Sequence, residues 1–573
     1  MIMEEITTPW LGSYGEVPFH LEYSELSISD AVMQTAEREG DYPALSFMDR
    51  KISYKKLGKM IDKAARAFAA MGIKEDQKVV ICMPNVPQAI YCMYGLNRIG
   101  AIPCMIHPLS AIGEIAFYLK EVDSRIIFTL DQFYHKIVEV EKQYSLDKVI
   151  ISTGADGLDP VIAEISKLAQ CRKVPRVRSK GNVIVWNDFL RLAKKAPEDY
   201  VVHRSKDQTA VILFSGGTTG TTKGIMLSSL NFNALALQTA TMCHQEVHHS
   251  KMLAAMPIFH GFGLGVCIHT MLYIGGTSIL VPKFSPKEYA ELIKKNKPNF
   301  IAGVPTLYQA ISSNPYLDGE SLDYLRGVFS GGDSLSVELK KKFDKFLDEH
   351  GSPVHVREGY GTTECVTASC LTPYTEEREG SIGLPYPDTY YKICKPESDE
   401  ELPYGSEGEI CLCGPSVMLG YLNKPEENAK TLVVHSDGHT WLHTGDLGVM
   451  DEDGFIYFKQ RMKRMIITSG YNVYPSQLEN IIDAHEAVRM SCVIGVKDPY
   501  KIQKVKAFVM LNEGYESSPE LKADILNYCR QRIAKYAMPY DIEFREELPK
   551  TLVGKVAYKI LENEEAEKKN ANV

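Results

Sequence analysis

A chain of 573 residues is longer than one hydrophobic core usually serves, so two or three domains are expected. Its 45% hydrophobic and 24% charged residues describe a soluble globular protein, and a net charge of −9 argues against nucleic acid as a main partner, since phosphate backbones call for a basic surface. Thirteen scattered cysteines contain no CxxC pair, and their odd total disfavours a disulfide framework and fits a reducing, cytoplasmic setting.

The N-terminus, Met1-Ile2-Met3-Glu4-Glu5, is acidic where a secretory signal would be basic. A helix is expected over about 28–38, a short strand at 51–54, and a helix over 55–70, where Leu57, Ile61, Ala64 and Phe68 repeat at helical spacing. A strand at 78–82, a helix over 87–99 ended by Gly100, and strands at 126–128 and 149–151 continue the alternation. Such alternation predicts parallel sheets with helices on their faces. Residues 154–205 are more polar. Their basic run 172–178 reads as a solvated loop, with anionic lipid or a CoA phosphate as the alternative contact.

At 211–214 an apolar strand gives way to Ser215-Gly216-Gly217-Thr218-Thr219-Gly220-Thr221-Thr222-Lys223-Gly224. Glycine lets backbone N–H groups approach an anion, hydroxyls add donors, and Lys223 adds charge suited to phosphate. A surface turn is the plain alternative. The Walker pattern fails, because Thr222 precedes the lysine and Gly224 follows it. No charge occurs between Lys251 and Lys283, yet the prolines, glycines and histidines there suit a buried strand–loop–helix–strand unit better than a membrane span.

Pro257-Ile258-Phe259-His260-Gly261-Phe262-Gly263 places a histidine among glycines that would leave room for a ligand. Ser330-Gly331-Gly332-Asp333 and Glu358-Gly359-Tyr360-Gly361-Thr362-Thr363-Glu364 are Gly-rich turns after strand-like runs. The second offers an aromatic face, two hydroxyls and a carboxylate able to hold Mg²⁺. Residues 380–458 have an all-β texture, within which Thr444-Gly445-Asp446 offers a carboxylate to a ribose diol. After 461 a compact α+β unit is expected to about 560, with Lys555 in a glycine-containing turn and a charged, disordered tail over 562–573. Cys243, His244, Glu246, His248 and His249 lie close together, but Gln245 stands where the zinc-protease pattern needs Glu.

In order and spacing these pieces resemble the adenylate-forming superfamily of acyl-CoA synthetases, luciferases and peptide-synthetase adenylation domains, from about residue 52 to 561. The resemblance implies a large N-terminal α/β domain over 1–460 with a small β-barrel-like subdomain, hinged at Lys463 to a small α+β domain over 461–573. It implies that Ser215, Gly216, Gly217, Thr218, Thr219, Gly220 and Lys223 cradle the phosphates of ATP, with Glu364 and Thr219 on Mg²⁺. Tyr360 and Gly331, Gly332 and Asp333 would hold adenine among Gly359, Gly361, Thr362 and Thr363, with Asp446 and Arg461 on the ribose. Lys555, His260 and Thr219 would be catalytic, Lys555 bridging the acid and the α-phosphate. His260, Gly261, Phe262, Gly303 and Val304 would face the acid, and Gly470, Tyr471 and Asn472 the pantetheine of coenzyme A. The chain departs from the pattern at Thr222, where proline is usual, at Gly216, where serine is common, and at Tyr558, where arginine is usual.

The expected reaction joins a medium- or long-chain fatty acid to coenzyme A through an acyl-adenylate. An aryl or steroid-type acid, a carrier-protein acceptor and a non-enzymatic nucleotide sensor are the alternatives. No transmembrane span is expected; a peripheral membrane contact and a homodimer are both compatible with the sequence.

Overall fold

The computed structural model describes residues 6–158, 177–215, 222–468, 471–498, 500–551 and 555–571. Its first sheet runs Gly420–Tyr421, Gly224–Ser228, Thr209–Phe214, Ile102–Ile106, Lys78–Cys82, Ile126–Leu130, Lys148–Ser152 and Val183–Val185. The last six pair in parallel, whereas Gly224–Ser228 folds back antiparallel on Thr209–Phe214. Ile102–Ile106 and Ile126–Leu130 are buried along their whole length, as helices on both faces require.

A second sheet runs Leu384–Pro385, Cys370–Leu371, Val356–Tyr360, Gly327–Ser330, Phe300–Gly303, Lys251–Ala254, Thr277–Leu280, Pro43–Phe47 and Arg50–Ser53. Val356–Tyr360, Gly327–Ser330, Phe300–Gly303 and Lys251–Ala254 are parallel neighbours, so their C-terminal ends lie side by side. The uncharged stretch becomes Lys251–Ala254, a buried π-helix Phe262–Thr270 and the strand Thr277–Leu280. Among the described residues no helix is long and apolar enough to cross a membrane.

The small β subdomain is built on an antiparallel sheet of Tyr390–Cys394, Glu407–Cys413, Thr440–Met450 and Leu432–Val434, with Ile456–Arg461 paired to Thr440–Met450. A single-turn helix, Met462–Arg464, then leads into the C-terminal sheet of Ile466–Thr468, Tyr471–Val473, Val488–Asp498, Ile502–Leu511 and Asp541–Phe544. That sheet and the helices Pro475–Asp483 and Pro519–Arg530 share a core of their own, centred on Ile482, Val493 and Ile525.

Two segments hold more structure than their composition suggests. Within the polar stretch, Trp186–Leu192 is a helix because its aromatics are buried, Trp186 stacking 5.7 Å from Phe128 and Phe189 lying 4.7 Å from Phe68. Residues 172–176 of the basic run lie outside the described residues. The tail expected to be disordered instead continues the helix Tyr558–Ala571. Leu561 is buried with Tyr558 against Cys492, Ile494 and Phe508, and Lys506 lies 2.8 Å from Glu565. One apolar anchor and one buried ion pair organise a segment that reads as purely solvated.

Candidate active site

Four motifs leave the C-terminal ends of the four parallel neighbours, the place where open α/β sheets hold ligands. Gly303 and Val304 end Phe300–Gly303, Gly331 to Asp333 follow Gly327–Ser330, Gly359 to Thr363 end and follow Val356–Tyr360, and His260 follows Lys251–Ala254. Backbone binds them together: Gly331 N–H donates to Gly303 O at 3.1 Å. The glycines beside His260 do not leave open space, as the sequence suggested. A Cβ on Gly261 would stand 1.6 Å from Val366 O, and one on Gly263 would stand 2.1 Å from Pro257 O. Val366 itself sits at φ 64°, ψ −59°, a costly conformation for a β-branched residue. The glycines therefore admit backbone, and Phe262 and Leu264 are buried in the wall they form.

Tyr360 Oη donates to Asp446 Oδ2 at 2.7 Å, and Arg461 Nε lies 3.3 Å from Asp446 Oδ1. Burial raises the Asp446 carboxyl above its ordinary range, with Arg461 and the Tyr360 hydroxyl opposing. Asp446 Oδ1 is buried and, apart from the ion pair with Arg461, accepts no aligned hydrogen bond among the described residues. A buried acceptor in that state fits a ligand hydroxyl.

Glu364 is held at both ends: Oε1 accepts from Tyr421 Oη at 2.8 Å, and its carbonyl accepts from Met418 N–H at 2.7 Å. Lys223 lies over the Tyr421 ring, 4.3 Å from its centroid, and pairs with Glu427. The strands on either side, Thr209–Phe214 and Gly224–Ser228, pair antiparallel with Phe214 opposite Gly224, and Lys223 N–H donates to Ser215 Oγ at 3.1 Å. Gly216, Gly217, Thr218, Thr219 and Gly220 lie outside the described residues, as does Gly470.

The C-terminal domain delivers Lys555 to this cluster. A Cβ on Gly332 would lie 3.7 Å from Lys555 Cε. Burial lowers the Lys555 ammonium below its ordinary value, and Arg461 adds to that, while Asp333 and Asp446 oppose it. Burial, with Lys555 nearby, pushes His260 down to about 3, so the ring is neutral; its Nδ1 accepts from Phe262 N–H at 3.2 Å. Asn472 pairs with Ile467, and Tyr471 is exposed and stacks on Tyr536 of its own domain at 4.5 Å. Lys463 lies in the Met462–Arg464 turn between the two domains. Sequence reasoning overlooked Tyr421 and Glu427, whose only signal is proximity to Gly420 and Pro425 in a turn-rich stretch.

The family description AMP-binding enzyme matches residues 32–422, and AMP-binding enzyme C-terminal domain matches residues 477–555. The chain belongs to the AMP-binding enzyme family. It is 34% identical to a long-chain-fatty-acid–CoA ligase of Bacillus subtilis (strain 168) over 566 residues, 98% of each chain. It is 31% identical to probable 4-coumarate–CoA ligase 1 of Dictyostelium discoideum over 509 residues, 88% of each chain. The crystal structure of ATP-bound MatB from Rhodopseudomonas palustris superposes with a TM-score of 0.79 at 25% identity, over 94% of this chain and 98% of that one. This AMP-binding enzyme is an adenylate-forming acid–thiol ligase of the acyl-CoA synthetase branch, taking a carboxylic acid, ATP and coenzyme A.

Proposed function

We propose that this ligase activates a medium- or long-chain fatty acid. The acid's carboxylate oxygen attacks the α-phosphorus of ATP, the bond from that phosphorus to the α,β-bridging oxygen breaks, and pyrophosphate leaves. The thiol sulfur of coenzyme A, having lost its proton, then attacks the acyl carbonyl carbon and AMP leaves. What carries the adenylation half is the meeting of Lys555 with Asp446, Tyr360 and the Gly331–Asp333 turn at the strand ends.

In this reading Asp446 Oδ1 and Arg461 hold the ribose, Tyr360 and the Gly331–Asp333 turn flank adenine beside Gly359, Gly361, Thr362 and Thr363, and the 215–223 segment takes the phosphates. Lys555 offsets the like charge of carboxylate and triphosphate as they approach. Glu364, oriented by Tyr421, is suited to Mg²⁺, which would supply further charge neutralisation at the phosphates. His260 stays neutral and presents its ring on the acyl side with Phe262, Gly303 and Val304. The N-terminal domain ends near residue 460, and Lys463 is the pivot on which the C-terminal domain turns to bring Tyr471 and Asn472 to the pantetheine.

The fatty-acid reading is supported by the uncharged wall Phe262–Thr270 and by the 34% identity to the Bacillus ligase. An aryl acid is the second reading, favoured by the 31% identity to the Dictyostelium ligase. Mixing the enzyme with ATP, coenzyme A and a series of acids, read by the mass of the thioester, is expected to give product from aliphatic acids. Product from aromatic acids alone would reverse the choice, and AMP without any CoA thioester would point to a carrier-protein acceptor.

A further inference from the structure

Within the strand Thr440–Met450, Thr444-Gly445-Asp446 bulges out of register with Glu407–Cys413 and is held from behind by a buried chain of side chains. Gly445, at φ 71°, is the pivot of the bulge, a conformation that favours glycine. Its N–H donates to Glu409 Oε1 at 2.9 Å, and Glu409 Oε2 meets His443 Nδ1 at 2.9 Å. His443 Nε2 in turn lies 2.8 Å from His435 Nε2. Glu409 and His435 are each 3% exposed. The register sets this up: Cys411 lies opposite His443, and period-two alternation puts Glu409 on the same face as Cys411.

The protons along the chain follow from its end. Carboxylate oxygens accept, so His443 Nδ1 carries the hydrogen and its Nε2 is an acceptor. His435 Nε2–H therefore donates, and His435 Nδ1 is left unprotonated, consistent with its having no donor or acceptor partner among the described residues. Burial, aided by Lys392 and His443, pushes His435 down to about 4, so its ring is neutral.

We propose that Glu409, His443 and His435 are positioning residues for nucleotide recognition: by fixing Gly445 in one orientation they aim the Asp446 carboxylate at the ribose of ATP. This rests on the reading of Asp446 as the ribose contact. A metal on Glu409, Cys411 and His443, whose ligand atoms lie within 4.8 Å of one another, would need the Nδ1 that here donates to Glu409. It would also need a thiolate where Cys394 and burial hold Cys411 as the thiol.

The test is kcat/KM for ATP and for 2′,3′-dideoxy-ATP, which lacks the ribose hydroxyls. Asp446→Ala is the control for the underlying reading and should collapse the preference for ATP; if it leaves the preference intact, the ribose assignment itself fails. With that control satisfied, His443→Leu should lower the ATP preference by about fivefold, the worth of one buried hydrogen bond. His443→Asn, whose amide N–H can replace Nδ1–H, should restore most of it. His435→Leu, one link farther out, should lower it by about twofold and covers the case in which His443→Leu fails to fold. Equal losses on both nucleotides in the His443 and His435 variants would reduce these residues to scaffold and overturn the proposal. So would one equivalent of zinc in the purified enzyme that disappears in His443→Leu.

Discussion

Glu358 lies two residues before Tyr360, on the strand that supplies the aromatic face of the site. Desolvation pushes its carboxyl up to about 8 from an ordinary 4.5, against the backbone N–H of Leu335 and the charge of Lys340. Between those two values the folded protein holds a proton that the unfolded chain has released, so raising the pH favours unfolding. Stability from this group is complete below about 4.5 and is lost as the pH rises through about 8. Glu358→Gln should therefore flatten the fall of Tm over that range, and an unchanged slope in a thermal-melt series would show that another group governs it. His260 behaves in the opposite sense: its low value leaves it uncharged throughout the neutral range, beside Lys555.

At the scale of elements, the wall beside His260 depends on backbone packed against backbone. Gly261→Ala would drive a methyl group into Val366 O, and neither backbone can yield without moving the Thr363–Cys365 turn that carries Glu364. A loss of about 1–3 kcal/mol is expected, together with a raised KM for both ATP and the acid. Calorimetry and initial rates check it; a wild-type Tm would show that the turn is softer than its packing implies. This contact was not legible in the sequence. The glycines of Phe259-His260-Gly261 read equally well as room for a ligand, because composition marks a close approach without saying what approaches. Strands were legible: Lys78–Cys82 follows from alternation and turn chemistry alone, whereas the side-by-side placing of the motifs comes from the sheet order. The Glu409–His443–His435 chain was not, since it joins three segments by pairing register. A glutamate at position 409, alternating with Cys411 and Cys413 in the largely buried strand Glu407–Cys413, was the one hint. The helix Tyr558–Ala571 was misread for the same reason, its fate being decided by Leu561 meeting Phe508 fifty residues away in the chain.

For the whole molecule, the bearing of two domains on one site is the main consequence. Two of the contacts between them are polar and exposed: Gln309 Nε2 donates to Arg489 O at 3.1 Å, and Tyr474 bonds Glu407. Interfaces of this kind permit relative motion. If Lys555 serves adenylation alone, Lys555→Ala should slow acyl-adenylate formation by about 10²–10³-fold while leaving thioester formation from supplied acyl-adenylate near the wild-type rate. Single-turnover assays of each half-reaction decide it, and equal losses in both would abolish the division of labour.

The short Met462–Arg464 turn that joins the domains has a kinetic meaning as well. It makes Lys555 a tethered reagent, whose effective concentration at the strand ends is set by chain geometry and reaches the millimolar range at any dilution of the protein. On the proposed reading, in which the domain departs to admit the thiol, each departure is a unimolecular excursion whose return does not depend on protein concentration.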